Sequence, residues 1–435
     1  MARVIVIGAG LGGLAAAARI AKLGHQVTVC ERRDRIGGVL GNIEADGFRW
    51  DAAAASTTLP ATLRDLFRKS GRPLEQVAQL DPIQEPRRHL FTDGTVLDLP
   101  LTDRAGQLDA WRDLAGEKAS LEWTDLVDSY GETWQVLRKN ALEAPLPDKG
   151  SFSAWRALRP WQSLEKVGRR KLSDERARDV LAFHATLQGS EPSKTPGYFG
   201  VGAYLERTFG RWTFDDGFAV LVDALGKRLA ERKVEVQLGV DVAGVLTADG
   251  VVTGVRLADG TEMPADLVVS DIDPRELFEH LVVDPAAKKE RKRILSTHLA
   301  ESQYVVHLGL REPLPELPFE TVLHGDPPVL IRRAGQAPPG HQGWSVLVHG
   351  YPSDDVVDLL VARGLPIRDH VVSRQTSGSW WTGIAWEGAR TASRRAKNVT
   401  GVKGLYCVGA GAHPGGGVPA VVLGAAIVAD AVGKA

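Results

Sequence analysis

The chain has 435 residues, 43% hydrophobic and 25% charged, the balance of an ordinary soluble globular protein with room for about two or three domains. The 53 Lys and Arg residues nearly cancel the 54 Asp and Glu residues, so the net charge of −1 gives no electrostatic basis for binding nucleic acid. Two cysteines, Cys30 and Cys407, exclude a disulfide framework and a four-thiolate metal site, and they fit a reducing cytoplasm.

The first elements of the chain predict a βαβ unit. Val4–Ile7 is a β-branched run typical of a buried parallel strand, and the glycine-spaced segment Gly8–Gly13 follows it directly. The alanine-rich run Leu14–Leu23 predicts a helix, and His25–Cys30 predicts a second strand. A signal peptide is the alternative for these first residues, but the strand and the spaced glycines account for all of them.

The glycine spacing and the acid after the second strand indicate a dinucleotide site. In the G-x-G-x-x-G pattern, Gly8 allows a tight turn and Gly10 lets the backbone approach a pyrophosphate. Gly13 lets the helix pack closely on the strand. Glu31 stands where a carboxylate can bond the ribose hydroxyls of an adenosine, and it would repel the 2′-phosphate of NADP.

A basic segment directly after Glu31 favours FAD over a simple nicotinamide cofactor. Arg32–Gly38 places three arginines before a glycine pair, Gly37 and Gly38. These residues give a second backbone approach to the phosphates of an extended dinucleotide. The alternative is a solvated basic turn.

The chain changes character between about residues 60 and 211, where helical periodicity dominates and glycines become sparse. The basic stretch Ser151–Arg178, which contains tryptophans, suits either a solvated helix face or contact with a membrane surface. Further on, Glu301–Leu310 and Trp344–Tyr351 alternate in polarity and predict strands of a second domain. Three tryptophans, Trp380, Trp381 and Trp386, could form an aromatic wall near a cofactor or could belong to the core.

The far end of the chain predicts a second glycine-rich turn between a strand and a helix. Gly404–Val408 is a short apolar strand, Gly409–Pro419 is rich in glycine, and Ala420–Val432 is an apolar helix that is too short to span a membrane. A helix N-terminus aimed at the pyrimidine end of a flavin would stabilise the negative charge of the reduced ring. A plain terminal βα unit is the alternative.

Three of the motifs above, Val4–Gly13, Glu31–Gly38 and Gly404–Pro419, occur together with the acid-bearing segment Phe48–Asp51. Together they resemble the phytoene desaturase branch of the flavin-dependent amine oxidase superfamily. The resemblance implies an α/β fold in which a Rossmann-type, glutathione-reductase-like FAD-binding domain is interleaved with an α+β substrate-binding domain. The FAD domain would comprise residues 1–59, 212–283 and 395–435. The substrate domain would comprise residues 60–211 and 284–394.

The same resemblance implies a set of FAD contacts. These are Gly8, Gly10, Leu11, Gly12 and Gly13 at the pyrophosphate, Glu31 and Arg32 at the ribose, Gly37 and Gly38 near the phosphates and the ring, Val242 at the adenine through its backbone, and Gly409, Gly417, Val418 and Pro419 along the flavin. Val242 would belong to a strand predicted over Glu235–Val245. No metal site is expected.

Three functions agree with this sequence. The first is an FAD-dependent oxidoreductase that transfers hydride from a C–H of an apolar, isoprenoid-like or polyene-like substrate to flavin N5. The second is a flavin amine oxidase or natural-product tailoring oxidase acting on a smaller polar molecule, and the third is a non-catalytic lipid-binding protein on the same fold. Catalytic residues are not identifiable, although His184 and His413 are candidates for handling a proton. We expect a small-molecule substrate, no nucleic acid, and peripheral contact with a membrane.

Overall fold

Two large sheets of different build organise the chain. The computed structural model describes residues 1–53, 55–146, 152–350, 355–380 and 383–435. Within these residues the strands are β1 Arg3–Ile7, β2 Gln26–Glu31, β3 Asn42–Ala45, β4 Phe48–Asp51, β5 Asp81–Pro82, β6 Arg87–Leu90, β7 Val96–Leu99, β8 Trp212–Thr213, β9 Glu235–Leu238, β10 Val242–Ala248, β11 Val251–Leu257, β12 Glu262–Pro264, β13 Leu267–Ser270, β14 Gln303–Arg311, β15 Glu320–Leu323, β16 Val329–Arg333, β17 His341–His349, β18 Val371–Trp380 and β19 Leu405–Cys407.

Helices cover both faces of the first sheet, and the second sheet carries helices on its two opposite faces. They are α1 Leu11–Lys22, α2 Pro60–Ser70, α3 Arg104–Leu137, α4 Phe152–Ala157, α5 Leu164–Lys171, α6 Glu175–Thr186, α7 Val201–Phe209, α8 Ala219–Glu231, α9 Pro274–Glu276, α10 Lys288–Leu295, α11 Val356–Ala362, α12 Thr391–Arg394 and α13 Val418–Val432. None of these helices has the length and apolarity needed to cross a bilayer, within the ranges given above.

The first sheet is parallel and brings the two ends of the chain together. Its strand order is β19-β13-β1-β2-β9, so β1 near the N-terminus lies one strand away from β19 near the C-terminus. The carboxyl ends of parallel strands meet at one edge of a sheet, and open α/β sheets bind ligands at that edge. Both glycine-rich turns therefore leave the sheet from the same edge.

The second sheet is mostly antiparallel and has the strand order β18-β14-β17-β16-β15-β6-β7. One face packs against α11 in an apolar core that includes Leu308, Trp344 and Leu360. The opposite face, called the inner face below, carries Phe183 of α6 on the apolar residues Val305 and Leu347. The predicted strands Glu301–Leu310 and Trp344–Tyr351 correspond to β14 and β17.

Two helices from segments predicted for the substrate domain pack on the layers of the first sheet. Leu63 and Phe67 of α2 pack in the same core as α1 and α13. Ile294 of α10 packs in the core on the other face of the parallel sheet. Both helices are amphipathic and bury their apolar side there.

Candidate flavin site

The first glycine-rich turn ends β1 and begins α1. Gly8 has a φ of +93°, a left-handed conformation that favours glycine, and α1 begins at Leu11. Leu14 donates to the Gly10 carbonyl, whereas the amides of Leu11 and Gly12 donate to no residue in the described ranges. Free N–H groups at a helix N-terminus form an anion site, so this turn fits the pyrophosphate of a dinucleotide.

Helix α1 lies so close to the turn that residue 13 has no room for a side chain. A Cβ atom at Gly13 would collide with the Gly8 carbonyl oxygen. This close approach agrees with the packing role predicted for Gly13. The predicted helix Leu14–Leu23 is confirmed, and it begins three residues earlier, at Leu11, because Gly12 and Gly13 belong to its first turn.

Glu31 holds the first turn in place. Its buried carboxylate accepts from the Ala9 amide through Oε2 at 2.7 Å and from the Arg33 amide through Oε1 at 2.9 Å. The carboxylate therefore fixes both the glycine turn and the start of the basic segment. Arg32 is exposed and faces Glu276 at 3.7 Å, at the rim of this edge.

The glycine pair of the basic segment also reaches the first turn. Gly37 donates to the Ala9 carbonyl at 2.7 Å, and a Cβ at Gly38 would lie 3.1 Å from Gly10 Cα. Both glycines have positive φ values, +109° and +61°. The segment predicted to approach the phosphates thus lies on the turn predicted to bind them.

The second glycine-rich turn lies directly against the first. A Cβ at Gly12 would lie 2.8 Å from the Gly409 amide nitrogen, so the two turns are in backbone contact. Gly409 has a φ of +89°, and Gly417 with a φ of +90° precedes α13, which begins at Val418. Pro419 occupies the first turn of that helix, as helix starts favour. Two helix N-termini therefore converge on one edge of the parallel sheet.

Val242 occupies a different element from the one predicted. The predicted continuous strand Glu235–Val245 is wrong, because the chain turns at Gly239, whose φ is +69°. The first part, β9, pairs with β2, whereas β10 begins at Val242 and pairs with β11 in a separate sheet. Val242 is buried, and the amide of Val240 donates to the Glu31 carbonyl at 2.9 Å. The segment that leads into Val242 is therefore hydrogen-bonded to Glu31 at the end of β2.

Sequence reasoning missed a buried arginine beside the second turn. Arg395 is 1% exposed, donates to the carbonyls of Ala410 and Ile384, and stacks on Trp386 with its guanidinium 3.9 Å from the ring centroid. Burial lowers the pKa of its guanidinium to about 10, which leaves the group charged at neutral pH. Trp381 lies outside the described residues, as does the side chain of Trp380.

A second missed residue, Asp271, follows β13. Its amide donates to the Ile7 carbonyl at 2.9 Å, and its carboxyl group lies against Gly10, Gly12, Gly13 and Gly409. The sequence does show an acid directly after the apolar run Leu267–Ser270. Asp271 reaches the glycine turns only because β13 lies between β1 and β19, and the local sequence does not specify that strand order.

A buried charge cluster lies on the second sheet, and we call it the arginine–glutamate network. Its members are Arg87, Glu206, Arg211, Glu320 and Arg332. Arg87 donates to Glu206 at 2.6 Å and to Glu320 at 2.8 Å, and Arg211 donates to both carboxylates at 2.8 Å. Arg332 donates to Glu320 at 3.1 Å. Both carboxylates therefore accept from two or more guanidinium groups.

Burial lowers the pKa of both candidate histidines. His184 lies 3.9 Å from Glu206 but is desolvated, and burial lowers its pKa to about 4. His413 is buried, and its Nε2 donates to the Ala144 carbonyl at 3.0 Å. The thiols of Cys30 and Cys407 are free and buried, and burial raises the pKa of Cys30 to about 11. Such thiols are unreactive.

The fold and the paired glycine turns define a dinucleotide-binding protein. The model of the flavin containing amine oxidoreductase family matches residues 11–433. The chain belongs to this family and is an FAD-dependent enzyme, which confirms the resemblance drawn from its motifs.

Similar proteins extend over the whole chain. A 4,4'-diapolycopene oxygenase of Methylomonas sp. is 27% identical, and the alignment covers 99% of this chain and 98% of the relative. A hydroxyneurosporene desaturase of Cereibacter sphaeroides is 28% identical, covering 99% and 97%. Among solved structures, a putrescine oxidase double mutant superposes with a TM-score of 0.74 at 15% identity, covering 99% of both chains. At that identity the superposition establishes the fold alone.

Proposed function

We propose that this protein is a phytoene desaturase-like enzyme that removes hydride from a C–H bond of an apolar, polyene-like substrate. The observation that carries the proposal is the full-length similarity to proteins whose names specify carotenoid substrates, diapolycopene and hydroxyneurosporene. The alignments cover the substrate domain as well as the cofactor domain. A shared FAD site alone would not produce that coverage.

The inner face of the second sheet supports an apolar substrate over an amine. Phe183, Val305 and Leu347 form part of a buried apolar cluster there. The buried carboxylates of Glu206 and Glu320 are not available to pair with a cationic amine, because they already accept from the arginines of the network. The free amides of Leu11 and Gly12 in the first glycine turn likewise favour a cofactor-dependent enzyme over a lipid-binding protein without flavin.

We also propose which residues hold FAD. They are Gly8, Gly10, Leu11, Gly12 and Gly13 at the pyrophosphate, Glu31 and Arg32 toward the ribose, Gly37 and Gly38 near the phosphates and ring, Val242 toward the adenine, and Gly409, Gly417, Val418 and Pro419 along the flavin. The contact between Gly12 and Gly409 and the free amides of Leu11 and Gly12 support this assignment. The cofactor supplies a hydride acceptor, and the chain supplies orientation, exclusion of water and fixed positive charge.

The proposal predicts that a polyene reduces the flavin. We expect anaerobic holoprotein to lose the visible absorbance of oxidised flavin when it is mixed with vesicles that contain phytoene or neurosporene. Empty vesicles and a panel of primary and secondary amines should leave the spectrum unchanged. Bleaching by an amine, with none by either polyene, would overturn the apolar-substrate proposal in favour of an amine oxidase. Product analysis by chromatography then identifies the new double bond or oxygen function.

We further propose that the enzyme works in the cytoplasm and touches the membrane through a basic groove, as an apolar substrate requires. A surface groove of about 470 Å³ is lined by Trp161 and by Lys166, Lys194, Arg390 and Arg394, with Glu387 as an acid on its wall. Trp161 is 60% exposed. An exposed tryptophan among cations suits the interface of a membrane that contains anionic lipid.

Charge reversal in the groove should weaken membrane binding. We expect Arg390→Glu to reduce co-sedimentation with phosphatidylglycerol-containing vesicles roughly tenfold, since each basic residue near an anionic surface contributes about 1 kcal/mol. Arg291→Glu, the same change at an exposed position on α10, is the matched control and should bind as the unaltered protein does. Equal binding by the two variants, or no preference for anionic over neutral vesicles, would contradict the docking proposal.

A further inference from the structure

The carboxyl group of Asp271 lies at the first glycine-rich turn, Gly8–Gly13, which is predicted to bind the pyrophosphate and which we call the phosphate cradle. A Cβ atom at Gly10 would lie 2.5 Å from Asp271 Oδ2, and a Cβ at Gly409 would lie 2.5 Å from Oδ1. A Cβ at Gly13 would also lie 3.3 Å from Oδ2. The Asp271 carboxyl group thus faces the backbone of the turn that is predicted to receive the pyrophosphate.

Among the described residues, no cation is in contact with the Asp271 carboxyl group. Strand β2 contributes Glu31, an acid, and the thiol of Cys30, which stays neutral because its own pKa is raised. The two glycine turns and the start of α1 contribute backbone groups alone. Two residues further along the chain, Asp273 is also an acid and adds no positive charge. Its carboxylate accepts from the Arg275 amide at 2.8 Å.

Burial and the repulsion from Glu31 raise the pKa of Asp271 to about 7, although the nearby backbone amides of Gly13 and Gly10 oppose the shift. The residue nevertheless keeps some solvent access, which allows protons to exchange. Asp271 therefore changes charge near neutral pH.

We propose that Asp271 is a cofactor-site residue that couples FAD binding to the uptake of one proton. With the carboxyl group neutral, the cradle accepts the doubly negative pyrophosphate. With the group ionised, the carboxylate repels the pyrophosphate and competes with it for the glycine amides. The bound pyrophosphate in turn favours the protonated carboxyl group, and the proton comes from solvent. This inference concerns the FAD cofactor of the family and is independent of the proposed substrate.

The sign of the effect follows from linkage between the two binding events. Below pH 7 the carboxyl group is already protonated, so FAD affinity does not depend on its titration. Above pH 7 binding must first protonate the group, so the dissociation constant rises by up to about tenfold per pH unit. The rise ends where Asp271 also loses its proton in the FAD complex.

The test measures FAD dissociation from holoprotein across this pH range. Holoprotein is diluted at each pH, and the recovery of flavin fluorescence gives the equilibrium dissociation constant. We expect the unaltered protein to show the rise above pH 7, and Asp271→Asn to bind FAD with an affinity that is independent of pH and higher at alkaline pH. Asp273→Asn, the same substitution two residues away, should keep the slope of the unaltered protein.

Two results would overturn the proposal: a dissociation constant of the unaltered protein that does not change with pH, or an undiminished slope in Asp271→Asn. If Asp271→Asn cannot be purified as folded holoprotein, Asp271→Ser provides a smaller neutral replacement. The same pH-independent FAD affinity is expected of that variant. The readout is binding alone, so it does not depend on finding the substrate.

Discussion

Replacing Glu320 with glutamine is expected to destabilise the protein by about 3–5 kcal/mol, the usual cost of breaking a buried ion network by removing one partner. Glu320 is 3% exposed and accepts from Arg87, Arg211 and Arg332. Glutamine has nearly the same shape, but it leaves three buried guanidinium groups with Glu206 as the remaining carboxylate of the network. Urea unfolding followed by circular dichroism measures the loss.

Glu85 provides a matched control on the same sheet. It pairs with Arg333 at 2.9 Å, and both side chains are about two-fifths exposed. Exposed pairs of this kind contribute about 0–1 kcal/mol, so Glu85→Gln should change the unfolding midpoint little. Equal effects of the two substitutions would show that the network does not stabilise the fold.

The same network predicts how stability depends on pH. The arginines hold the pKa of Glu320 and of Glu206 well below the ordinary glutamate value of 4.5. A lowered pKa in the folded state stabilises the protein above the pKa of the unfolded chain, and this stabilisation is lost as the pH falls toward the folded value. The stability difference between the unaltered protein and Glu320→Gln should therefore shrink below about pH 4.5.

The network illustrates which parts of the structure the sequence cannot reveal. Arg87, Glu206 and Glu320 belong to a strand, a helix and another strand that are far apart along the chain. No local period or spacing links them, and charged residues are ordinarily assigned to the surface. Their pairing depends on the parallel register of β6 and β15 and on how α7 packs against that sheet.

The cofactor edge, in contrast, was largely predictable because its signals are local. A β-branched strand, spaced glycines and an alanine-rich helix occur within the first residues of the chain, and the structure confirms β1, α1 and β2. Asp271 and Arg395 were missed because each acts through strand order or through a distant turn. The prediction of a continuous strand over Glu235–Val245 was wrong because the chain turns at Gly239. A single glycine in an otherwise alternating pattern does not reveal from sequence that its φ is positive.

Substituting alanine for Gly12 is expected to weaken FAD binding by at least about a hundredfold, or about 3 kcal/mol. The new methyl group would lie 2.8 Å from the Gly409 amide nitrogen and 3.1 Å from its Cα. Both are backbone atoms, so the methyl group can be accommodated only by separating the two glycine turns. The flavin content of the purified protein and the dissociation constant for FAD measure the loss.

Two further glycines make the test quantitative. At Gly10 a methyl group would contact the Asp271 carboxyl group and would stand where the pyrophosphate is predicted to approach, so Gly10→Ala should also weaken FAD binding. At Gly41 a methyl group would meet no atom of the described residues within 4 Å apart from its chain neighbours, and the backbone is not left-handed, so Gly41→Ala should bind FAD normally. Thermal unfolding of all three variants separates lost binding from lost folding. If folded Gly12→Ala retained normal FAD affinity, the contact between the two turns could not be what shapes the cofactor site.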